Sequence, residues 1–327
     1  MSASARMFVI VGAAAALAAG ATVALAVITS SDEGGQPRTE MPLAGAPPLV
    51  LADLGVRVDP EARALRRAER LLDRKRLAAA GRIFERYDSP EAQIGAAFAR
   101  WPDSSLATIE RLADERPRNS LVLLHLGYAN LWAGKPDDAA SAWRMAAQAQ
   151  PDSASAQRAD DALHPDFPPG QPYFVPSFRP PPGLARLAPP AQLAALERSA
   201  RGNDARAKLL YGLALQRLGH RISARRQYAA AARLAPRDAE AQVAAAVGRF
   251  DKSRPAEAFS RLGPLTRRFP QAATVRFHLG LLLLWLARNQ PGSLDEAKRQ
   301  LRLAQREEPG SRLAREAKRL LAGLEGV

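Results

Sequence analysis

Histidine, cysteine and paired carboxylates do most acid–base, nucleophilic and metal chemistry, and this chain offers them sparsely. It has no cysteine, which excludes disulfides, thiolate metal sites, a cysteine nucleophile and a lipobox anchor. Its four histidines, His125, His164, His220 and His278, are too scattered for a metal cluster. His125 and His278 each precede Leu-Gly and read as polar helix residues of two similar stretches rather than as ligands. Asp137-Asp138, Asp160-Asp161 and Glu307-Glu308 are adjacent pairs. Neighbours on a helix point about 100° apart, so these carboxylates do not converge on one reacting atom. Phosphate-loop, dinucleotide-loop, H-E-x-x-H and G-x-S-x-G patterns are all missing. The expectation is a protein that is not an enzyme and holds no cofactor and no metal.

The elements available to position any site are helices. From residue 60 onward the chain is a run of amphipathic segments broken by Pro, Gly and Asp, without strand alternation. With 47% hydrophobic and 24% charged residues it has globular composition, which excludes global disorder. Charge is divided unevenly. Residues 1–190 carry 21 basic and 21 acidic side chains, and residues 191–327 carry 26 and 12, so the whole +14 lies in the second part. That excess is either a solvated surface or a face for an acidic partner, anionic lipid or nucleic acid.

Met7 to Ile28 is free of charge and would span about 33 Å as a helix, matching a hydrocarbon core of about 30 Å. Ala24-Leu25-Ala26 resembles a cleavage site, but the length favours a retained anchor. Arg6 before it and Asp32-Glu33 after it place the bulk of the chain outside the cytoplasm. The expected organisation is a short cytoplasmic end (1–6), a transmembrane anchor or uncleaved signal (7–29) and a flexible Gly/Pro tether (30–59). An N-terminal helical block (60–163), a proline-rich strap (164–190) and a basic C-terminal block with a closing helix (191–327) follow. The expected location is the cell membrane, single-pass, with the blocks extracytoplasmic.

Within the blocks a period emerges. Gly127, Gly134, Ala139, Trp143, Ala146 and Pro151 have the same spacings as Gly212, Gly219, Ala224, Tyr228, Ala231 and Pro236. Ala258, Leu262, Leu265 and Pro270 repeat the second half, and Gly280, Ala297, Leu301, Ala304 and Pro309 repeat five of the six with an insertion near Pro291-Gly292. Small residues such as Gly127 and Gly212 let paired helices approach, Trp143 and Tyr228 fill the space between pairs, and Gly134 and Gly219 suit a left-handed helix end. Residues 86–119 fit poorly, with no first-helix glycine apparent, and 60–87 read as a degenerate half-length start.

On these residues the chain resembles the tetratricopeptide repeat (TPR) family, a 34-residue helix–turn–helix unit. The resemblance covers about three quarters of the chain. It implies an all-α, TPR-type helix–turn–helix solenoid in two blocks, preceded by one transmembrane helix. In that family the first helices line a concave groove that binds a protein or peptide. Carried onto this sequence, the groove includes Leu124, Tyr128 and Leu131 in the first block. In the second it includes Arg206, Leu213, Phe250, Phe277, Leu281 and Trp285, with Arg217 at the border. These residues either meet a partner or pack on the linker. Leu124, Tyr128, Leu209 and Leu213 stand where chaperone-tail-clamping members carry basic and amide side chains, which argues against that subclass.

Residues 165–190 contain ten prolines together with Tyr173, Phe174 and Phe178. No helix persists through such a segment. It reads as an ordered strap whose aromatics pack on the repeats, in preference to a docking peptide at Phe178-Arg179-Pro180-Pro181-Pro182. The function expected from all this is a membrane-anchored extracytoplasmic scaffold or adaptor holding a protein partner in its grooves. The alternative is a basic helical module that binds a polyanion: acidic lipid, cell-wall polymer or nucleic acid. The outward orientation argues against nucleic acid.

Overall fold

A computed structural model describes residues 42–287, 289–290 and 292–325. The expected anchor, its cytoplasmic end and the start of the tether lie outside the described residues. Among the described residues no helix is long and apolar enough to cross a membrane. All regular structure there is helical, and the chain divides into two compact units between Pro165 and Asp166.

The first unit begins with an extended segment, 42–51, and a single 3-10 turn at Ala52–Leu54. Seven helices follow: α1 (Pro60–Asp73), α2 (Leu77–Phe84), α3 (Pro90–Ala99), α4 (Ser105–Glu115), α5 (Ser120–Trp132), α6 (Pro136–Ala149) and α7 (Ala154–Leu163). They form three pairs and a closing helix, each packed on its neighbours in sequence. The second unit has an extended strap and α8 (Pro189–Ala200) before its pairs. These are α9 (Ala205–Arg217) with α10 (Arg221–Leu234), α11 (Ala239–Val247) with α12 (Ala256–Leu262) and α13 (Leu265–Arg268), and α14 (Ala273–Leu286) with α15 (Gly292–Glu307). The closing helix is α16 (Arg312–Glu325). First helices α9, α11 and α14 start 34 residues apart, as do α5 and α7.

Local chemistry sets the boundaries. Asp59, Ser89, Asn119, Ser153, Asp204 and Asp238 each cap the helix that follows by accepting a backbone N–H, which satisfies donors that helical bonding leaves over. Asp137 and Asp138 sit in the first turn of α6, where the helix dipole favours negative charge. Gly134 and Gly219 take φ of 76° and 84° after α5 and α9, the left-handed conformation that glycine adopts without a Cβ penalty. Gly263-Pro264 splits the second helix of the middle pair into α12 and α13, because proline at 264 has no N–H to continue the ladder.

The core consists of large side chains that fill space left by glycines. A Cβ on Gly127 would come within 2.2 Å of the Trp143 ring, and one on Gly212 within 2.6 Å of Tyr228. Both rings are buried. The poorly fitting stretch 86–119 follows the same rule. Gly95 of α3 faces the buried Phe84 of the preceding pair, whose ring a Cβ would meet at 2.6 Å, as Gly248 faces Tyr228. Likewise 60–87 is a complete pair, α1 with α2, and not a half-length start.

The expectation of a flexible tether through residue 59 is corrected. Leu49, Leu51 and Leu54 are buried in the first unit's core. Apolar residues at alternate positions of an extended segment point to one side, and here that side faces helices.

Candidate functional site

In each unit an extended segment of the chain itself lies against the first helices. In the second unit it is the strap. Gly170, Gln171, Pro172, Phe174 and Pro176 are buried, while Tyr173, Val175 and Ser177 are only half-buried. In the first unit Pro47, Leu49 and Leu51 are buried and Pro48 and Val50 half-buried. Both segments therefore alternate sides, as an extended backbone must.

The histidines hold them. His125 is the sixth residue of α5 and His278 the sixth of α14, and neither has any exposed surface. In His278, Nδ1 lies 2.7 Å from the Thr274 carbonyl oxygen one turn back, and Nε2 accepts the Val175 N–H at 2.8 Å. In His125, Nδ1 lies 2.7 Å from the Leu121 oxygen and Nε2 accepts the Val50 N–H at 3.0 Å. A carbonyl can only accept, so Nδ1 carries the proton and Nε2 is the acceptor. The rings must be neutral to do this, and burial lowers the pKa of both to about 4.

Further polar groups address the backbone of the straps. In the second unit Gln216 donates to the Pro172 oxygen at 2.9 Å while its own oxygen accepts from the Tyr228 hydroxyl. Glu240 accepts the Ser177 N–H, and burial raises its pKa. Arg312 of the closing helix donates to the Pro176 and Phe178 oxygens. In the first unit Glu69 accepts the Leu51 N–H at 3.2 Å, and burial pushes its pKa up to about 7. Leu43 donates to the Trp132 oxygen, and Asp53 accepts the N–H groups of Ala154 and Ser155 at the start of α7. Both straps thus enter near the C-terminal ends of first helices and leave near N-terminal ends.

Most of the residues expected to line partner grooves are buried or half-buried, and Arg206 is exposed. Leu124, Tyr128, Leu131, Leu213, Phe250 and Phe277 are buried, and Leu281 and Trp285 are half-buried. Trp285 packs edge-on against Phe250, which in turn meets Phe167 of the strap. Arg206 lies over the Phe178 ring at 5.4 Å and Arg217 over Tyr173 at 6.0 Å. Phe174 is fully buried, stacked on His278 at 5.3 Å and edge-on to Tyr228. Of the expected groove residues, Arg206, Arg217 and Phe250 thus meet aromatic rings of the strap.

Sequence reasoning missed His125 and His278 as strap-holding residues. A signal was available. Gly45-Ala46-Pro47-Pro48-Leu49-Val50 and Gly170-Gln171-Pro172-Tyr173-Phe174-Val175 share the form G-x-P-x-Φ-V, with Φ apolar. Each copy stands upstream of a His-Leu-Gly, the two glycines take φ of 80° and 85°, and each valine N–H reaches the histidine. Among the described residues no group of histidines and carboxylates could hold a metal ion.

No protein-family model matches the chain, and no curated protein matches it. Among solved structures it is similar to the C-terminal part of a TPR repeat-containing protein from Cytophaga hutchinsonii. The two are 14% identical with a TM-score of 0.28, over 77% of this chain and 98% of the other.

Proposed function

We propose that the chain is a scaffold or adaptor of tetratricopeptide type, anchored in the cell membrane through residues 7–29 with its helical units outside the cytoplasm. Its business on this reading is to hold extended polypeptide in the concave faces of its repeats. The observation that carries the reading is the pair of histidine latches. In each unit the first helices receive an extended segment through the same acceptor at the same helical position. Recognition through backbone groups suits a protein that takes up peptide segments. The uncharged run from Met7 to Ile28 supports the anchor.

A photo-crosslinking residue at Leu281, half-buried in the second groove, tests the reading in the native cell. A discrete partner should be trapped from Leu281 and not from Arg225 on second helix α10. Reporter fusions after residue 60 should be active outside the cytoplasm. Equal labelling from both positions, abolished by moderate salt, would favour the second reading, a basic surface that binds polyanions, which the +14 of residues 191–327 motivates.

A further inference from the structure

The strap of the second unit is held mainly by its backbone. His278 and Glu240 accept its N–H groups, and Gln216 and Arg312 donate to its carbonyls. Any extended segment in the same register satisfies those four groups equally well. Side-chain selection is confined to the buried positions, above all that of Phe174, which fits between His278 and Tyr228.

Charge is where the strap fits its groove least well. Arg206, Arg217 and Arg312 all face it, and among the described residues none of the three forms a close ion pair, though Arg206 feels the Glu240 carboxylate that accepts the Ser177 N–H. The strap gives Arg217 the face of Tyr173, gives Arg206 the face of Phe178 and gives Arg312 two carbonyls. Guanidinium over an aromatic ring is a weaker arrangement than a charge-assisted bond to carboxylate. Burial acts on Arg217 in the same sense and lowers its pKa, with Arg312 adding to the effect. Between Pro165 and Pro190 the only acidic residue is Asp166, upstream of these contacts. The groove is therefore better matched in charge to a segment other than the one it holds.

Resting on the groove-scaffold reading above, we infer that strap 170–178 is a placeholder. The partner of the second unit is an extended, proline-containing segment with an aromatic at the Phe174 position and carboxylates at the positions of Tyr173 and Phe178. Such a segment reproduces the backbone bonds and adds ion pairs to Arg217 and Arg206. It needs that addition, because the resident strap is covalently tethered and has the advantage of high effective concentration. The basic excess of residues 191–327 would speed its approach.

Two labelled peptides test this against the full chain. One reproduces residues 168–180, and the other carries Tyr173→Glu and Phe178→Glu in the same frame. The host chain carries Val175→Pro, which removes the N–H given to His278 and loosens the resident strap. Phe174→Ala is a second host should the first fail to fold by circular dichroism. The acidic peptide should bind the loosened chain at least tenfold tighter than the unmodified peptide, and at least tenfold tighter than it binds the unaltered chain. Adding Arg217→Glu should bring the two peptides to similar affinity. Equal affinity for the loosened chain itself would overturn the acidic preference and leave the groove reading standing. No binding of either peptide to a folded, loosened chain would overturn both. Competition by polyglutamate as strong as by the acidic peptide would likewise overturn both, in favour of a general polyanion surface.

Discussion

The two units use one latch with different surroundings. In the first, Leu49 fills the buried position before the latched valine, and in the second Phe174 does. At the exit the polarity reverses. In the first unit the segment supplies a carboxylate, Asp53, to the N-terminal N–H groups of α7. In the second the closing helix α16 supplies a guanidinium, Arg312, to the strap's carbonyls. The N–H of valine and the neutral histidine are common to both, so the fixed part of the arrangement is recognition of backbone. Side-chain chemistry around it is free to differ, and in the second unit it differs towards positive charge.

The largest effects should come from the side chains both units need irrespective of the straps. Truncating Trp143 or Tyr228 to Ala removes a fully buried aromatic and should cost about 3–5 kcal/mol, read from urea unfolding by circular dichroism. Trp143 also donates to the Leu124 oxygen at 3.2 Å. Tyr228 orients Gln216, which holds the strap at Pro172. The Tyr228 change should therefore loosen the strap as well as the core, and a loss below about 1 kcal/mol in either unit would contradict the packing.

This part of the molecule was legible in the sequence. The spacing from Gly127 to Trp143 and from Gly212 to Tyr228 follows from one physical need, a ring lying against a bare Cα. Gly134 and Gly219 announced left-handed helix ends and have them. The pair around Gly95 was harder to see, because Phe84 stands closer to it in sequence and on the preceding helix rather than the following one. The first unit's extended segment was the least legible. Gly and Pro in 30–59 read as a tether, although the alternation of Pro47, Leu49 and Leu51 betrays a buried side. His125 and His278 could be recognised as equivalent, but their acceptor nitrogens point at residues 75 and 103 positions away, a pairing that shows only when the two G-x-P-x-Φ-V copies are set beside the two His-Leu-Gly sites.

An intermediate effect should separate the units by pH. His125→Leu or His278→Leu leaves a valine N–H without its acceptor, costing about 1–3 kcal/mol at pH 7. Acid acts on the unaltered chain through the same rings. Their pKa near 4 in the fold lies below the 6.5 of an exposed histidine. The unfolded chain therefore binds more protons between those values, and stability falls as pH drops from 6.5 towards 4. At pH 5 the loss is roughly 2 kcal/mol per ring, and each Leu variant should lack its share. Glu69 opposes this in the first unit. Its pKa is raised to about 7, so the folded state binds the extra proton as pH falls from 7 towards 4.5 and is favoured. Glu240, raised by burial, acts in the same sense in the second unit. Glu69→Gln should accordingly steepen the acid loss followed through Trp101, Trp132 and Trp143, and leave that followed through Trp285 unchanged. A change in both signals would mean that the latches do not titrate unit by unit.

The smallest effect concerns the turns that launch the straps. Gly45 and Gly170 take φ of 80° and 85°, where a residue with a Cβ is strained by about 1–2 kcal/mol. Nothing lies within 4 Å of a Cβ placed on Gly45, so Gly45→Ala carries the backbone strain alone and should cost about 1 kcal/mol. Asparagine tolerates this conformation better than alanine, so Gly45→Asn should recover part of the loss. Gly170 is buried, so its Ala variant should add crowding to the same strain and cost more. Hydrogen exchange at the Val50 and Val175 amides reads each turn separately, because each N–H is protected by its own histidine. Gly45→Ala should speed exchange at Val50 without altering Val175. If Val50 keeps its protection, the latch holds without the turn, and the glycine in G-x-P-x-Φ-V is not part of what positions the segment.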